Sequence, residues 1–502
     1  MKKSYNYFKR YNGKYFLVFI FLSSLLLSCE EFLTETPRSS VGGENFFKTA
    51  KDADASISAI YSSIKGHYTF NAWYYGDIST EVANNGEGSA TLDNGEYTAA
   101  DPTFRGFWTQ MYRTINYANV AIKNIPDITM DTDLKERYVG EARFLRALSY
   151  FELVRAFGGV PKITEPTVDD TNNRLPRASV EEIYNLIFDD LEFCETVLPD
   201  TYEGTNIGRA TRGASKALMA KAYLQKGDFS NALSKSKEVI SSGTYELLAN
   251  LKDVFDITKE NGKEHIFSIQ FMGGTTEGLG STLSRQFASR NVEINPNGNG
   301  EPSYSAIAAE SQFFNSVPNH YRKRLTIVDQ FPSPYYPEIT ATGPAQAGPC
   351  CMKFWDPLYT TRIGGDDANW MVIRYADVLL IFAEAENEVN GPTTEAYEAI
   401  NSIRKRARDE NQNNIDEQEE IAELPDLSGL SQDEFRQAVW KERDMELCFE
   451  GHHRWDLIRQ NRFVEVVNAS SIASKVTQTN RLFPIPDLEI MANDVLEQNP
   501  GY

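Results

Sequence analysis

Apolar residues recur along most of the chain at three- and four-residue steps, the spacing of one buried face of an α-helix. Phe46-Phe47, Ala53, Ile57, Ile60-Tyr61 and Ile64 form one such series; Phe107-Trp108, Met111-Tyr112, Ile115, Ala118-Asn119 and Ile122 form a second. A longer helix is predicted over about 131–157. Ala142, Leu145, Leu148-Ser149 and Leu153 lie on its apolar face, and Gly158-Gly159 with Pro161 stop it. Two later segments look alike. The apolar run 217–224 leads to Gly227-Asp228, Ala232-Leu233 and Val239-Ile240. The run 378–385 leads to Gly391-Pro392, Ala396-Tyr397 and Ile400. In each, an alanine stands five residues after the glycine. Small residues let two helices approach closely and glycine makes the turn, the signature of a tetratricopeptide-type hairpin. The copies are far apart, so the repeats are interrupted. The expectation is a mainly α scaffold of such hairpins.

Two stretches break this pattern. Residues 65–106 are rich in Gly, Asn and aromatics. Residues 262–370 are rich in Gly, Pro and Ser, with a strand-like run at His265-Ile266-Phe267-Ser268-Ile269-Gln270-Phe271. Loop-rich insertions of this length in a helical protein are usually functional. At the N-terminus, Lys2, Lys3, Lys9, Arg10 and Lys14 precede the apolar run 16–22 and then Leu26-Leu27-Ser28-Cys29. A basic leader, a short apolar core and a small residue before the cut make a secretory signal, too short for a membrane span. Its end has the form of a bacterial lipobox, in which Cys29 becomes an acylated N-terminus. The organisation expected is a signal peptide at 1–28, a lipidated N-terminus and tether at 29–42, and a single domain over 43–502.

Composition narrows the partners. The net charge is −21, with five positive charges in the leader alone, so the remainder is more acidic still. Such a surface repels phosphate backbones and argues against nucleic acid. Cys194, Cys350, Cys351 and Cys448 form no CxxC pair and no disulfide framework. Adjacent Cys350 and Cys351 are either free thiols or a strained vicinal disulfide. His452 and His453, neighbours on a helix, would diverge by about 100° and share a metal poorly. The basic run His320-Tyr321-Arg322-Lys323-Arg324 either forms ion pairs or meets an acidic glycan. Arg374, Asp377, Arg443, Glu446, Glu450 and Arg454 are charges among apolar residues. Glu446, Glu450 and Arg454 stand four apart, on one face if helical, and read as a structural ion-pair network. Trp440 and Trp455 read as core.

The chain carries a series of ordered blocks. They include Cys29-Glu30-Glu31-Phe32-Leu33, Glu141-Ala142-Arg143-Phe144-Leu145-Arg146-Ala147, Phe157-Gly158-Gly159-Val160-Pro161 and Ile373-Arg374-Tyr375-Ala376-Asp377. Further along come Phe449-Glu450-Gly451-His452-His453-Arg454-Trp455-Asp456, Leu482-Phe483-Pro484-Ile485-Pro486 and Gln498-Asn499-Pro500-Gly501-Tyr502. Together they resemble the SusD/RagB family of surface lipoproteins. The resemblance implies a SusD-like fold on the outer face of the outer membrane. It also implies a SusC-like TonB-dependent transporter as partner and capture of an oligosaccharide or polysaccharide, with no cofactor and no catalysis. In some branches the ligand is a peptide, as in RagB-like proteins.

Capture of a glycan needs flat rings for the C–H faces of sugars and amides or carboxylates for the hydroxyls. Residues 65–106 resemble the family's N-terminal ligand loop and offer Trp73, Tyr74, Asp77 and Asn84. Residues 262–370 would complete the platform with Tyr304 and Trp355. The alternative enzyme reading is a surface glycoside hydrolase, with Asp77 and Glu81 as the carboxylate pair about 5–10 Å apart. No nucleophile elbow, HExxH or phosphate-cradling loop accompanies them. A third reading is an assembly scaffold without a ligand of its own. The anchor makes a physical prediction, since each buried methylene contributes about 0.8 kcal/mol. Cys29→Ala is expected to move the protein from the membrane to the soluble fraction. Retention on membranes would mean that there is no anchor, or that the transporter alone holds the chain.

Overall fold

Side-chain caps fix where the helices begin. Thr49, Ser179 and Ser431 each close a capping box with the acid three residues on, Asp52, Glu182 and Glu434, satisfying amides that the first turn leaves open. The computed structural model describes residues 46–86, 91–167, 174–274, 279–294, 301–358, 365–413, 417–470 and 476–502. Cys29, the leader and the tether lie outside them. Nine long helices dominate: α1 (Ala50–Gly66), α2 (Pro102–Asn124), α3 (Thr132–Phe157), α4 (Val180–Val197), α5 (Arg212–Lys226), α6 (Phe229–Ser241), α7 (Tyr375–Asn390), α8 (Thr394–Arg408) and α9 (Gln432–Glu446). The fold is mainly α, with a few short strands.

The central helix is α3, packed against α1, α2 and α4. It is buried on all sides from Tyr138 to Phe151, Arg143 excepted, not along the single stripe its leucines and alanines suggest. Its buried charges are each matched: Glu141 with Arg209 at 3.2 Å, and Arg146 with Asp190 at 2.7 Å. Glu152 accepts the Tyr68 hydroxyl at 2.9 Å.

The two hairpins form as expected. α5 and α6 turn at Gly227, whose φ of +80° only glycine adopts without strain. α7 and α8 turn at Gly391. α7 lies against both α5 and α6, and there Ala220, Leu224, Ala232, Ile381 and Ala385 make a small separate core. The alanines let the backbones approach. Strands β1 (Ala83–Asn84), β2 (His265–Ile269), β3 (Ala308–Ala309) and β4 (Trp370–Arg374) join distant parts of the chain. β2 and β4 pair antiparallel, with Ile269 opposite Trp370, and both are buried throughout. β4 runs straight into α7, with Arg374 as the N-cap residue.

Arg374 is the hub of a buried ion lattice. Its guanidinium donates to Glu450 at 2.8 Å, to Glu446 at 2.7 Å and to Glu264 at 3.1 Å. Arg406 reaches Glu446 at 2.6 Å; Arg322 bridges Glu446 and Glu442 at 2.6 and 2.8 Å; Arg404 reaches Glu442 at 2.8 Å. Lys353 holds Glu450 at 2.6 Å. A second group links Lys221 and Arg443 to Asp377, and Arg443 and Arg459 to Asp456. The single helical face expected for Glu446, Glu450 and Arg454 does not exist. α9 ends at Glu446, and Phe449 and Gly451, both at positive φ, turn the chain back. Arg454 leaves the lattice, donates to the Ser79 hydroxyl at 2.6 Å and lies 4.3 Å from the Phe483 ring.

Burial pushes the Glu446 carboxyl up, but Arg374, Arg406 and Arg322 outweigh it and hold it well below the usual range. Glu450 is held down to about 2 in the same way by Arg374 and Lys353. Removing one partner strands a charge in the interior. Arg374→Met is therefore expected to lower the unfolding free energy by about 3–5 kcal/mol in urea titrations. A depressed folded-state pKa contributes stability that is full above the unfolded value and lost below it. The lattice contribution is expected to be intact above the ordinary glutamate value of 4.5 and to drain as pH falls toward about 2. A urea midpoint that stays flat across that window would contradict this.

Candidate functional site

Residues 65–106 are not simply loop. α1 continues into two π-helical turns, His67–Asn71 and Tyr74–Ile78. The wider π turn changes which side chains face out, and such turns concentrate at functional sites. Here it presents Phe70 and Tyr74 side by side. Their rings stack at 4.9 Å with planes 26° apart; Phe70 is 37% exposed and Tyr74 is partly buried. Burial, with the charges of Asp101 and Asp93, pushes the Tyr74 phenol up to about 12, so it remains a neutral donor.

The same register turns Trp73 and Asp77 inward. Trp73, expected at the ligand face, is 1% exposed; its indole meets Phe287 at 5.5 Å and donates to the Thr69 carbonyl at 3.2 Å. Asp77 is fully buried and accepts the Gly451 N–H at 2.8 Å. Two glycines allow that contact. A Cβ on Gly76 would stand 2.4 Å from the Gly451 carbonyl oxygen, and Gly451 itself has φ +75°. Trp355 is interior too, 6% exposed, its indole N–H on Glu338 at 2.8 Å. Trp73 lies behind Phe70 and Tyr74, and all three of these side chains are buried away from a ligand face.

Tyr74, Asn84 and Tyr304 lie on one circuit of contacts that joins the two irregular stretches. Asn84 pairs in register with Ala308, bringing β1 to β3. Asp93 accepts the Asn85 N–H at 3.3 Å, and Arg290 donates to the Gly86 and Tyr304 carbonyls, each at 3.2 Å. Tyr304, 38% exposed, carries the Arg285 guanidinium 4.0 Å from its ring centre. Arg285 shares the short helix Leu283–Phe287 with the ring that backs Trp73, which closes the circuit. Burial and the charge of Glu310 raise the Asp93 carboxyl to about 6, against the pull of the Asn85 N–H. These contacts tie the Phe70–Tyr74 stack and Tyr304 to amides, a carboxyl and two guanidinium groups. Phe70, Asp93 and Arg285 were not anticipated. Phe70 stands four residues before Tyr74, a spacing that pairs them on any helical reading of the segment.

Other candidates resolve differently. In the basic run, Arg322 enters the buried lattice and Arg324 pairs with Glu410 and Glu423, so ion pairing accounts for both. His453 lies between Glu81 at 2.8 Å and Asp444 at 3.1 Å, while His452 meets Lys221 at 3.1 Å. Cys194, Cys350, Cys351 and Cys448 are free and buried. Among the described residues no group of His, Cys, Asp or Glu is arranged to hold a metal, and no helix is long and apolar enough to cross a membrane.

This assembly of helical hairpins and a loop-built face is that of the SusD-like proteins. Residues 333–502 match the SusD family model, and residues 31–224 match a model described as starch-binding associating with outer membrane. Two SusD-like proteins of Formosa agariphila are each 29% identical over 97% of this chain, covering 99% and 98% of their own lengths. A laminarin-binding SusD-like protein of known structure superposes with a TM-score of 0.75 at 26% identity, over 91% of this chain and all of that one. A SusD superfamily protein of Parabacteroides distasonis gives 0.74 at 26%, over 89% of this chain and 99% of its own. The chain belongs to the SusD/RagB family.

The Asp77 contact makes a testable demand. Burial pushes its carboxyl up to about 7, although the Gly451 N–H, His453 and Lys353 pull it down. A raised acid pKa means that the folded state holds its proton longer than the unfolded chain, so the parent loses stability as pH rises from its ordinary 3.8 toward 7. Asp77→Asn keeps an acceptor for Gly451 without this loss. The variant is expected to gain melting temperature over the parent between about pH 4 and pH 7; an unchanged difference would show that Asp77 stays ionised.

Proposed function

We propose that this protein is a lipid-anchored, cell-surface glycan-binding protein. It captures oligosaccharides and delivers them to a SusC-like TonB-dependent outer-membrane transporter, without catalysis. The observation that carries the reading is the Phe70–Tyr74 stack, exposed at Phe70 and tied by successive contacts to Tyr304, Asn84, Asn85, Asp93 and Arg285. Sugar rings offer apolar C–H faces to such aromatics, while their hydroxyls need the amide, carboxyl and guanidinium groups. A relative that shares the fold and binds laminarin supports glycan as the ligand class. The family model's association with the outer membrane supports the location.

The state of the carboxylates supports capture over hydrolysis. A glycosidase needs two carboxyl groups free to flank the scissile bond. Asp77 is buried against Gly451, and Glu81 is engaged by His453.

Calorimetric titration of the protein with laminarin, starch and a peptide mixture tests the reading. Glycan binding is expected, weakened about tenfold or more by Phe70→Ala with Tyr74→Ala, since each aromatic contact contributes about 0.5–1.5 kcal/mol beyond its area. Chromatography of the ligand afterwards is expected to show no shortened product. Binding of peptides alone would move the protein to the RagB-like branch, and absence of any binding would favour the scaffold reading.

A further inference from the structure

A groove of about 620 Å³, roughly twice the volume of two others at 310 and 300 Å³, shares no residue with this face. Its walls come from the middle of α2, the segment after α3 and the C-terminal residues. They include Trp108, Tyr112, Arg113, Asn116, Arg174 and Glu489. Its volume is in the range of pockets that hold small organic ligands.

Three features give it a chemistry. First, Trp108 and Tyr112 pack ring on ring at 5.0 Å, and the Tyr112 hydroxyl is spent on the Pro161 carbonyl at 2.8 Å, so the pair acts as a fixed apolar wall. Second, Asn116 uses its side-chain oxygen to accept the Thr167 N–H at 2.9 Å, which leaves its amide N–H groups to donate. Third, the groove is cationic in an acidic protein. Arg113 and Arg174 are exposed at its wall and, among the described residues, neither is ion-paired. Most arginines elsewhere are matched: Arg146, Arg209, Arg322, Arg324, Arg374 and Arg406 all hold carboxylates. Among the described residues of the lining, Glu489 is the only carboxyl. Burial shifts its pKa upward, against the pull of Arg105, which weakens its competition for the arginines.

We propose that this groove is a second binding site, specific for a saccharide unit carrying a carboxylate or a sulfate. An aromatic wall takes the ring and the Asn116 amide takes a hydroxyl or ring oxygen. Two unmatched guanidinium groups take the anion, the fork geometry that carboxylates and sulfates share. In a chain of net charge −21 a local positive cleft focuses the field on anionic guests, which the rest of the acidic surface repels. The site shares no residue with the Phe70–Tyr74 face and stands independently of it.

The experiment is calorimetric titration of the full chain in detergent at low salt. The probes are tetragalacturonate, a sulfated carrageenan tetrasaccharide, neutral laminaritetraose and tetraglutamate. In the Phe70→Ala, Tyr74→Ala background, which removes the other face, either acidic oligosaccharide is expected to bind more tightly than the neutral one, and which of the two binds assigns the anion. Arg113→Gln with Arg174→Gln is expected to weaken that binding about tenfold or more, because hydrogen bonds to charged groups contribute about 1.5–3 kcal/mol each. Both residues are exposed, so the melting temperature should hold. Phe70→Ala with Tyr74→Ala should leave acidic-sugar binding unchanged, which separates failure of this site from failure of the other face. Equal affinity for neutral and acidic sugars in the Phe70→Ala, Tyr74→Ala background, no acidic-sugar binding, or retention in the double arginine variant would each overturn the proposal. Equal or tighter binding of tetraglutamate would overturn the saccharide assignment.

Discussion

The Arg374 lattice is the constraint on which the rest depends. It joins the end of β4, the last turn of α8, the end of α9 and the short helix Tyr321–Thr326, elements far apart in sequence. Buried charges are costly unless geometry and hydrogen bonding compensate them, and here nearly every carboxylate oxygen meets a donor. The lattice also reaches the proposed binding face. Glu450 is gripped by Arg374 and Lys353, and the next residue, Gly451, gives its N–H to Asp77 beneath the π turns. The position of Phe70 and Tyr74 is therefore referred to the ion lattice through one glycine.

Division of labour follows from that arrangement. Aromatic residues that face inward, Trp73, Tyr75 and Phe287, set the shape of the support, while Tyr74, Phe70 and Tyr304 at the rim meet solvent. Tyr75 stacks on Phe104 and Phe107 of α2, so the support is continuous with the helical scaffold. Specificity can then change at the rim without disturbing the interior.

The sequence was legible where structure is local. Apolar spacing located α1, α2 and α3, and the alanine–glycine–alanine pattern located both hairpins, because each depends on residues within a few turns of one another. It was illegible where distant contacts decide. Nothing near Trp73 announces that Phe287 will cover it. The π register rests on the approach of Gly76 to Gly451, some 375 positions apart in the chain. Aromatic residues clustered beside acids read equally well as platform or as packing, and burial alone separated Trp73 from Tyr74. Arg454 was grouped with the lattice because its spacing from Glu450 suits a helix that ends before either residue. The signal, lipidation and tether readings fall on residues outside those described.

The π turns give the binding face an unusual dependence on residue count. An ordinary helix advances about 100° per residue, and a π turn absorbs one extra residue without losing the helix. Deleting one of the three residues between Phe70 and Tyr74 would break the four-residue spacing that stacks them, although both rings remained in the chain. Insertion and deletion, more than substitution, are the changes by which such a face would be redrawn in evolution.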